Sequence, residues 1–249
     1  MRIFSLLTTS LLFSATVIAP AFAADKTPVT HEELGGLVKE YLNAHPEVIV
    51  ESVAIYQKNM AEAGIKEAGK AIAQNRDAIY NNPAIPTMGD KAAKVTVVEF
   101  FDYNCSACKY MFNTIDKIVK GNNKDVRFIF MEYPIFGEKS QKISTVGLAV
   151  HALAPAKYYE FHSHMMSHKG SLTEEDAKNY AEKIGIKKEE LEKEIVKPKY
   201  IQLQKDTAVL GNKLKIGGTP YLIIGDEPIP HALDDASMNE YLAKARKKL

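Results

Sequence analysis

Cysteine is nearly missing from this chain. Among 249 residues there are two, and there is no tryptophan. A fold stapled by several disulfides is therefore excluded. Net charge is nearly missing as well, at +1. No basic stripe points to nucleic acid, and the basic end "KARKKL" suits the last turn of a helix, where cations complement the dipole. Beyond the first two dozen residues no apolar run is long enough to span a bilayer as a helix. Internal repeats and low-complexity tracts are lacking too. What remains is ordinary globular composition, 46% apolar and 25% charged, in a chain long enough for one large domain with appendages. A core of that size needs no disulfide scaffold.

The opening "MRIFSLLTTSLLFSATVIAPAFAAD" has a basic start, an apolar run and a small-x-small site at Ala21-Phe22-Ala23. This is the pattern of a secretory signal peptide over residues 1–23. Its removal takes Arg2 from the 32 basic residues and leaves 31 against 31 acidic. Export matters for the cysteines, because disulfides form and persist outside the cytosol.

Residues 24–81 read as an N-terminal helical segment for self-association. Thr30 with Glu33 is a capping-box pattern, and Leu34, Leu37, Val38, Tyr41 and Leu42 mark one apolar face. Pro46 should interrupt this helix and start another. Ile49, Val53, Tyr56, Met60 and Ala63 follow at heptad spacing, and Ile65, Ile72 and Ile79 recur at seven. A continuous helix from Pro46 to Tyr80 would be about 50 Å long. Its stripe needs a cover, either a second copy of the chain or the body of its own protein. A homodimer is the first expectation and a trimer the second.

The stretch "NNPAIPTMGDKAA" marks an irregular boundary, after which residues 82–249 form the second domain. "KVTVVEFFDY" reads as a buried strand, "KYMFNTIDKIVKG" as a helix stopped by Gly121, and "DVRFIFMEYPI" as a second strand. Strand, Cys-x-x-Cys, helix, strand is a βαβ unit. Residues 138–214 are mostly helical, with an inserted block at about 138–200. "GGTPYLIIG" and "EPIPHAL" are paired strands, and a closing helix is capped by Asp234 or Asp235.

The cysteines, Cys105 and Cys108, lie together in "EFFDYNCSACKYM", residues 99–111. A zinc site would need two further ligands. His164 and His168 are spaced i, i+4 for it, with His162 nearby, but the gap from Cys108 to His164 is far longer than in small zinc fingers. A structural staple across so short a loop would add only ~2 kcal/mol. A redox centre fits the context better. The strand delivers Cys105 to a helix amino end, where the dipole and free N–H groups favour a thiolate. Cys108, one turn inside, would resolve mixed disulfides. A Cys105 pKa of roughly 4–7 is expected, set mainly by the helix terminus.

From Val95 onward the chain resembles the DsbA-like group of thioredoxin-fold proteins. "VVEFFDYNCSACK", "EYPIFGEKS" and "GGTPYLIIG" look like its active-site strand and helix, the entry to its inserted helices and its cis-proline loop. With the N-terminal extension, the resemblance is to oligomeric periplasmic members of the ScsC type. It extends to outer-membrane-associated antigens of similar build, which leaves membrane association of an exported chain open. The resemblance implies an α/β thioredoxin fold with an inserted helical domain. Cys105–Cys108 would be its redox disulfide, with Thr219 and cis Pro220 binding substrate backbone. Glu99 would be a buried acid handling the proton of the resolving cysteine, although a solvated edge-strand carboxylate is the plain alternative. Unfolded or misoxidised client proteins and a DsbB- or DsbD-type membrane redox partner are implied, with no metal and no organic cofactor. Two departures stand out. Ala107 occupies a position where the family often has histidine, and His231 one where it often has glycine. A binding module such as a chaperone, whose thiols are secondary, is the alternative from another class. A narrow reductase serving one partner is a third.

Overall fold

The computed structural model describes residues 30–121 and 123–248. The expected signal peptide lies outside them. The chain divides into two compact units, one ending at Ala54 and one beginning at Ile55.

The first unit holds α1 (His31–Ala44) and the start of α2 (Glu47–Gln74). The capping box forms as expected: Thr30 Oγ1 accepts the Glu33 N–H, and the Glu33 carboxylate accepts the Thr30 N–H. Helix α1 ends before Pro46, with His45 out of helical conformation. No residue of α1 is buried, and Leu37 and Tyr41 are more than half exposed.

The second unit is built on a five-stranded sheet in the order β1-β3-β2-β4-β5. The strands are β1 (Thr87–Met88), β2 (Val95–Phe101), β3 (Val126–Glu132), β4 (Tyr221–Ile224) and β5 (Glu227–Ile229). Among the described residues only β2 and β3 pair in parallel, as the helix between them, α4 (Ser106–Lys120), allows. Strand β2 is central and buried on both faces, which explains its unbroken apolar run. Strand β1 falls inside the segment expected to be irregular. Two residues are too few to show a strand pattern, and only pairing with Phe128 and Ile129 makes them one.

One face of the sheet carries α4, the helices α5 (Glu138–Leu153), α6 (Tyr158–Ser167), α7 (Glu174–Lys183) and α8 (Lys188–Ile195), and α10 (Asp235–Lys247). Their apolar residues merge with Val97, Phe101 and Phe130 into one cluster. The helical insertion is thus an extension of the sheet's own core. The opposite face is covered by α9 (Pro198–Lys213) through Leu210, and by Ile72 and Ile79.

That last contact corrects two expectations. The helix from Pro46 is not continuous to Tyr80. It stops at Gln74, and α3 (Arg76–Tyr80) begins anew. The break falls at Asn75, whose backbone leaves helical angles at φ −118° and ψ 25°, while its N–H and its Nδ2 both donate to the Ala71 carbonyl, at 3.1 and 2.8 Å. Nor is 81/82 a packing boundary. Ala68, Ile72 and Ile79 are buried, the last two in the cluster that contains Val98, Phe100 and Ile223. Asp226 at the β4–β5 turn also holds Arg76 at 2.5 Å and Tyr80 Oη at 2.6 Å. The end of the expected rod covers its own sheet, while Ile49, Val53, Tyr56 and Met60 stay exposed.

This division predicts a contrast within one helix. Ile72→Ala should cost about 2–4 kcal/mol in urea unfolding, as a buried truncation does. Ile49→Ala should change stability by no more than about 0.5 kcal/mol in the isolated chain. Equal effects would contradict the packing.

Candidate active site

Strand β2 delivers the chain through residues 102–104 into α4, and Cys105 is the N-cap of that helix. Its backbone is extended, and its Sγ accepts the Cys108 N–H at 3.3 Å. The sulfur thus occupies the place where a serine or aspartate oxygen usually satisfies an orphan donor. Both cysteines are thiols here. Cys105 is 5% exposed and Cys108 is fully buried. Opposite them, the Thr219–Pro220 peptide is cis, and the Thr219 carbonyl accepts the Cys105 S–H at 3.3 Å. Among the described residues the Thr219 hydroxyl is buried without a partner of ordinary geometry, and the Thr219 side chain favours the thiolate of either cysteine.

The two sulfurs are driven apart in acidity. The Cys108 thiol hydrogen-bonds to the Cys105 sulfur and lowers the Cys105 pKa to about 6, against the effect of burial. Thr219 and the N–H groups of Cys108 and Ala107 add to this. The value falls within the expected window, but its largest cause is the partner thiol. Cys108 is pushed far upward, first by burial, then by its bond to Cys105 and the charge of Glu99. No cation stands at position 107. Lys109 donates instead to the carbonyls of His168 and Gly170.

Glu99 sits on the central strand, paired with both Phe130 and Leu222, and is 1% exposed. The solvated edge-strand alternative is therefore excluded. Neither carboxylate oxygen has a protein hydrogen-bond partner among the described residues. Burial first, and then the charge of Cys105, raise its pKa to about 8.

The histidines do not come together as a ligand set. His162 is wholly buried among Phe101, Phe130 and Tyr158, and burial lowers its pKa to about 3. His164 stacks on Tyr180, and His168 caps α6. No group of acidic, cysteine and histidine side chains among the described residues could hold a metal ion. His231 is not among the non-glycine residues with positive φ, which are Lys215 and Asp226. Its loop does not require the left-handed backbone that favours glycine.

Sequence reasoning missed three polar residues around the site. Asn104 grips the Leu172 backbone, with Oδ1 accepting its N–H at 2.7 Å and Nδ2 donating to its carbonyl at 3.3 Å. Glu132 is 3% exposed, and its Oε1 accepts Tyr103 Oη at 3.1 Å and Tyr158 Oη at 3.2 Å. Burial raises its pKa to about 8 despite hydrogen bonds from Ser144 and both tyrosines. Asp102 accepts four hydrogen bonds. Only Asp102 left a local signal, an Asp two residues before an Asn ahead of the helix start, which suits an Asx turn.

Glu132 generates a pH prediction. Its folded pKa of about 8 lies above the ordinary 4.5. Between these values only the folded state holds the proton, so this contribution to stability is lost as pH rises through the window. Glu132→Gln removes that loss. Its unfolding free energy relative to the parent should rise from pH 4.5 to 8 by up to ~1.4 kcal/mol per pH unit. A pH-independent difference in urea titrations would refute the buried protonated acid.

The thioredoxin family model matches residues 81–244. Residues 32–63 match the copper resistance protein ScsC N-terminal domain. Disulfide bond formation protein D of Bacillus subtilis is 30% identical over 190 residues, covering 70% of this chain and 84% of the relative. The catalytic domain of Proteus mirabilis ScsC is 31% identical, with a TM-score of 0.64 over 72% of this chain and 98% of that one. The thiol-disulfide exchange protein alpha-DsbA2 of Wolbachia pipientis is also 31% identical, with a TM-score of 0.67 over 73% of this chain and 97% of its own. The chain thus belongs to the thioredoxin family, among its DsbA-like, ScsC-like thiol–disulfide oxidoreductases.

Proposed function

We propose that the chain is exported to the periplasm and oxidises or reshuffles disulfides of unfolded and misoxidised client proteins through Cys105 and Cys108. The observation that carries this reading is the Cys105 sulfur at the N-cap of α4, with a pKa of about 6 and its partner thiol held well above the ordinary value. At neutral pH the outer sulfur is a thiolate, and the inner one keeps its proton.

In the reducing direction, the Cys105 thiolate attacks a client disulfide. A mixed disulfide forms and one client thiolate leaves. That thiolate either attacks elsewhere in the client, which isomerises it, or takes up a proton. If it stays away, Cys108 attacks Cys105. The Cys105–Cys108 disulfide forms, the second client thiolate leaves, and the Cys108 proton passes to Glu99. The acidity of Glu99 suits this order. One cause of its raised pKa is the Cys105 charge, which vanishes once Cys105 is bonded to the client. The carboxylate is then easier to form when the Cys108 proton must be taken. Oxidation of clients is the reverse sequence, starting from the Cys105–Cys108 disulfide. Thr219 and Pro220 border the attacking sulfur and would bind extended client backbone. A DsbB- or DsbD-type membrane protein would restore the working redox state.

Residues 30–65 support self-association. Leu34, Leu37, Val38 and Tyr41 on α1, and Ile49, Val53, Tyr56 and Met60 on α2, present exposed apolar side chains. The match to the ScsC N-terminal domain falls on the same residues. A homodimer is the first reading and a trimer the second. Several redox sites around one client raise the effective concentration for second attacks, which favours isomerisation.

Two outcomes are expected. The native protein should reactivate scrambled, multi-disulfide ribonuclease, and Cys105→Ser should abolish this. Rapid oxidation of a reduced substrate without reactivation would assign an oxidase, whereas failure in both assays would favour a binding protein. Leu37→Lys combined with Val53→Lys should reduce the mass in light scattering to one chain and lower reactivation. A mass equal to the native one would remove the self-association reading.

A further inference from the structure

Asp102 stands three residues before Cys105 and is 2% exposed. Its Oδ1 accepts the Asn104 N–H at 2.7 Å and the Ser140 hydroxyl at 2.8 Å. Its Oδ2 accepts the Ile135 N–H at 2.8 Å and the Phe136 N–H at 3.3 Å. All four partners are neutral donors. Its backbone engages both cysteines: the Asp102 carbonyl accepts the Cys105 N–H at 3.0 Å, and a backbone hydrogen bond from Asp102 favours the Cys108 thiolate. The residue therefore joins three parts of the unit. These are the loop that sets Cys105 at the N-cap, the first turn of α5 through Ser140, and the segment bearing Ile135 and Phe136, which are 41% and 57% exposed.

A carboxylate buried to this degree is costly unless its oxygens are hydrogen-bonded, and the donor count meets that need. Three fixed backbone N–H groups and a hydroxyl converge on one spot, and only a group that accepts at both oxygens satisfies them. Asparagine cannot do so. Its amide nitrogen would face either the Asn104 N–H or the two N–H groups of Ile135 and Phe136.

We propose that Asp102 is a positioning residue for thiol–disulfide exchange. It locks the 102–105 loop so that the Cys105 sulfur meets the helix N–H groups, and it fixes the exposed Ile135–Phe136 edge to the same point. The proposal rests on the reading of Cys105 as the attacking sulfur. Asp102 touches neither sulfur through its side chain and acts through backbone geometry. Lys109, whose ammonium feels the Asp102 charge, and Glu132, whose acidity Asp102 reduces, are the other charged or titrating groups facing it.

The sign of one titration separates positioning from charge. In the reduced full-length protein, thiolate absorbance of Cys105 is followed against pH for the parent, Asp102→Asn and Ser140→Ala, with circular dichroism to check folding. Positioning predicts that Asp102→Asn raises the Cys105 pKa by about one unit, leaving roughly tenfold less thiolate below the titration midpoint. Ser140→Ala should shift it the same way by less. A downward shift in Asp102→Asn would mean that charge alone mattered, and an unchanged value in both variants would mean a purely structural role. Either result overturns the proposal. If Asp102→Asn does not fold, Ser140→Ala decides by the same sign, with no shift counting against positioning. The titration needs no client, so its outcome is independent of ribonuclease reactivation by the parent. Loss of that activity in the parent would overturn the functional reading and leave the result for Asp102 standing.

Discussion

A sulfur atom takes the place of a capping oxygen at the head of α4, and much of the structure serves to hold it there. Strand β2 must end at a fixed point, so it lies at the centre of the sheet between β3 and β4. The helix must start at once, so Asp102 gathers the turn between strand and helix. The helix must not drift, so Met111, Ile115 and Ile118 anchor it to the core. With the sulfur placed, the Cys108 thiol and then Thr219 and the N–H groups of Cys108 and Ala107 stabilise its anion, with no cation of the described residues among the causes. Ala107 fits this arrangement: its contribution to the thiolate is a backbone N–H.

Three buried acids surround this point, and their environments give them different properties. Asp102 receives four donors and serves as an anchor. Glu132 receives hydroxyls from Tyr103 and Tyr158, yet burial still holds its proton to about pH 8. Glu99 receives no protein donor among the described residues and responds to the charge on Cys105. Carboxylates of similar intrinsic acidity thus become a hydrogen-bonded anchor, a protonated core group and a group whose acidity follows the charge on the thiol.

The N-terminal helices show how one amphipathic pattern serves two ends. Apolar residues recur along α2, but the segment containing Ala68 and Ile72 belongs to the thioredoxin core. Ile49, Val53 and Tyr56 remain exposed. The heptad spacing is the same in both stretches. What differs is the presence of a sheet face to cover, formed by Val98, Phe100, Ile129 and Ile223.

Much of this protein was legible without coordinates, because local signals carried it. The capping box at Thr30, the strand–Cys-x-x-Cys–helix order, the stop at Gly121 and the cap at Asp234 each depend on neighbours within a few residues. So does the choice of Cys105 over Cys108 as the outer sulfur, since helix direction alone decides it. The two-residue strand β1 and the fate of Ile72 depended on contacts with residues far along the chain. Glu132 and Asp102 looked like ordinary acids until tyrosines 103 and 158, and the 135–140 segment, were brought against them. Local chemistry determined where a reactive sulfur could stand. Only tertiary structure decided its acidity and that of the acids beside it, because burial and partner geometry are properties of the packed core.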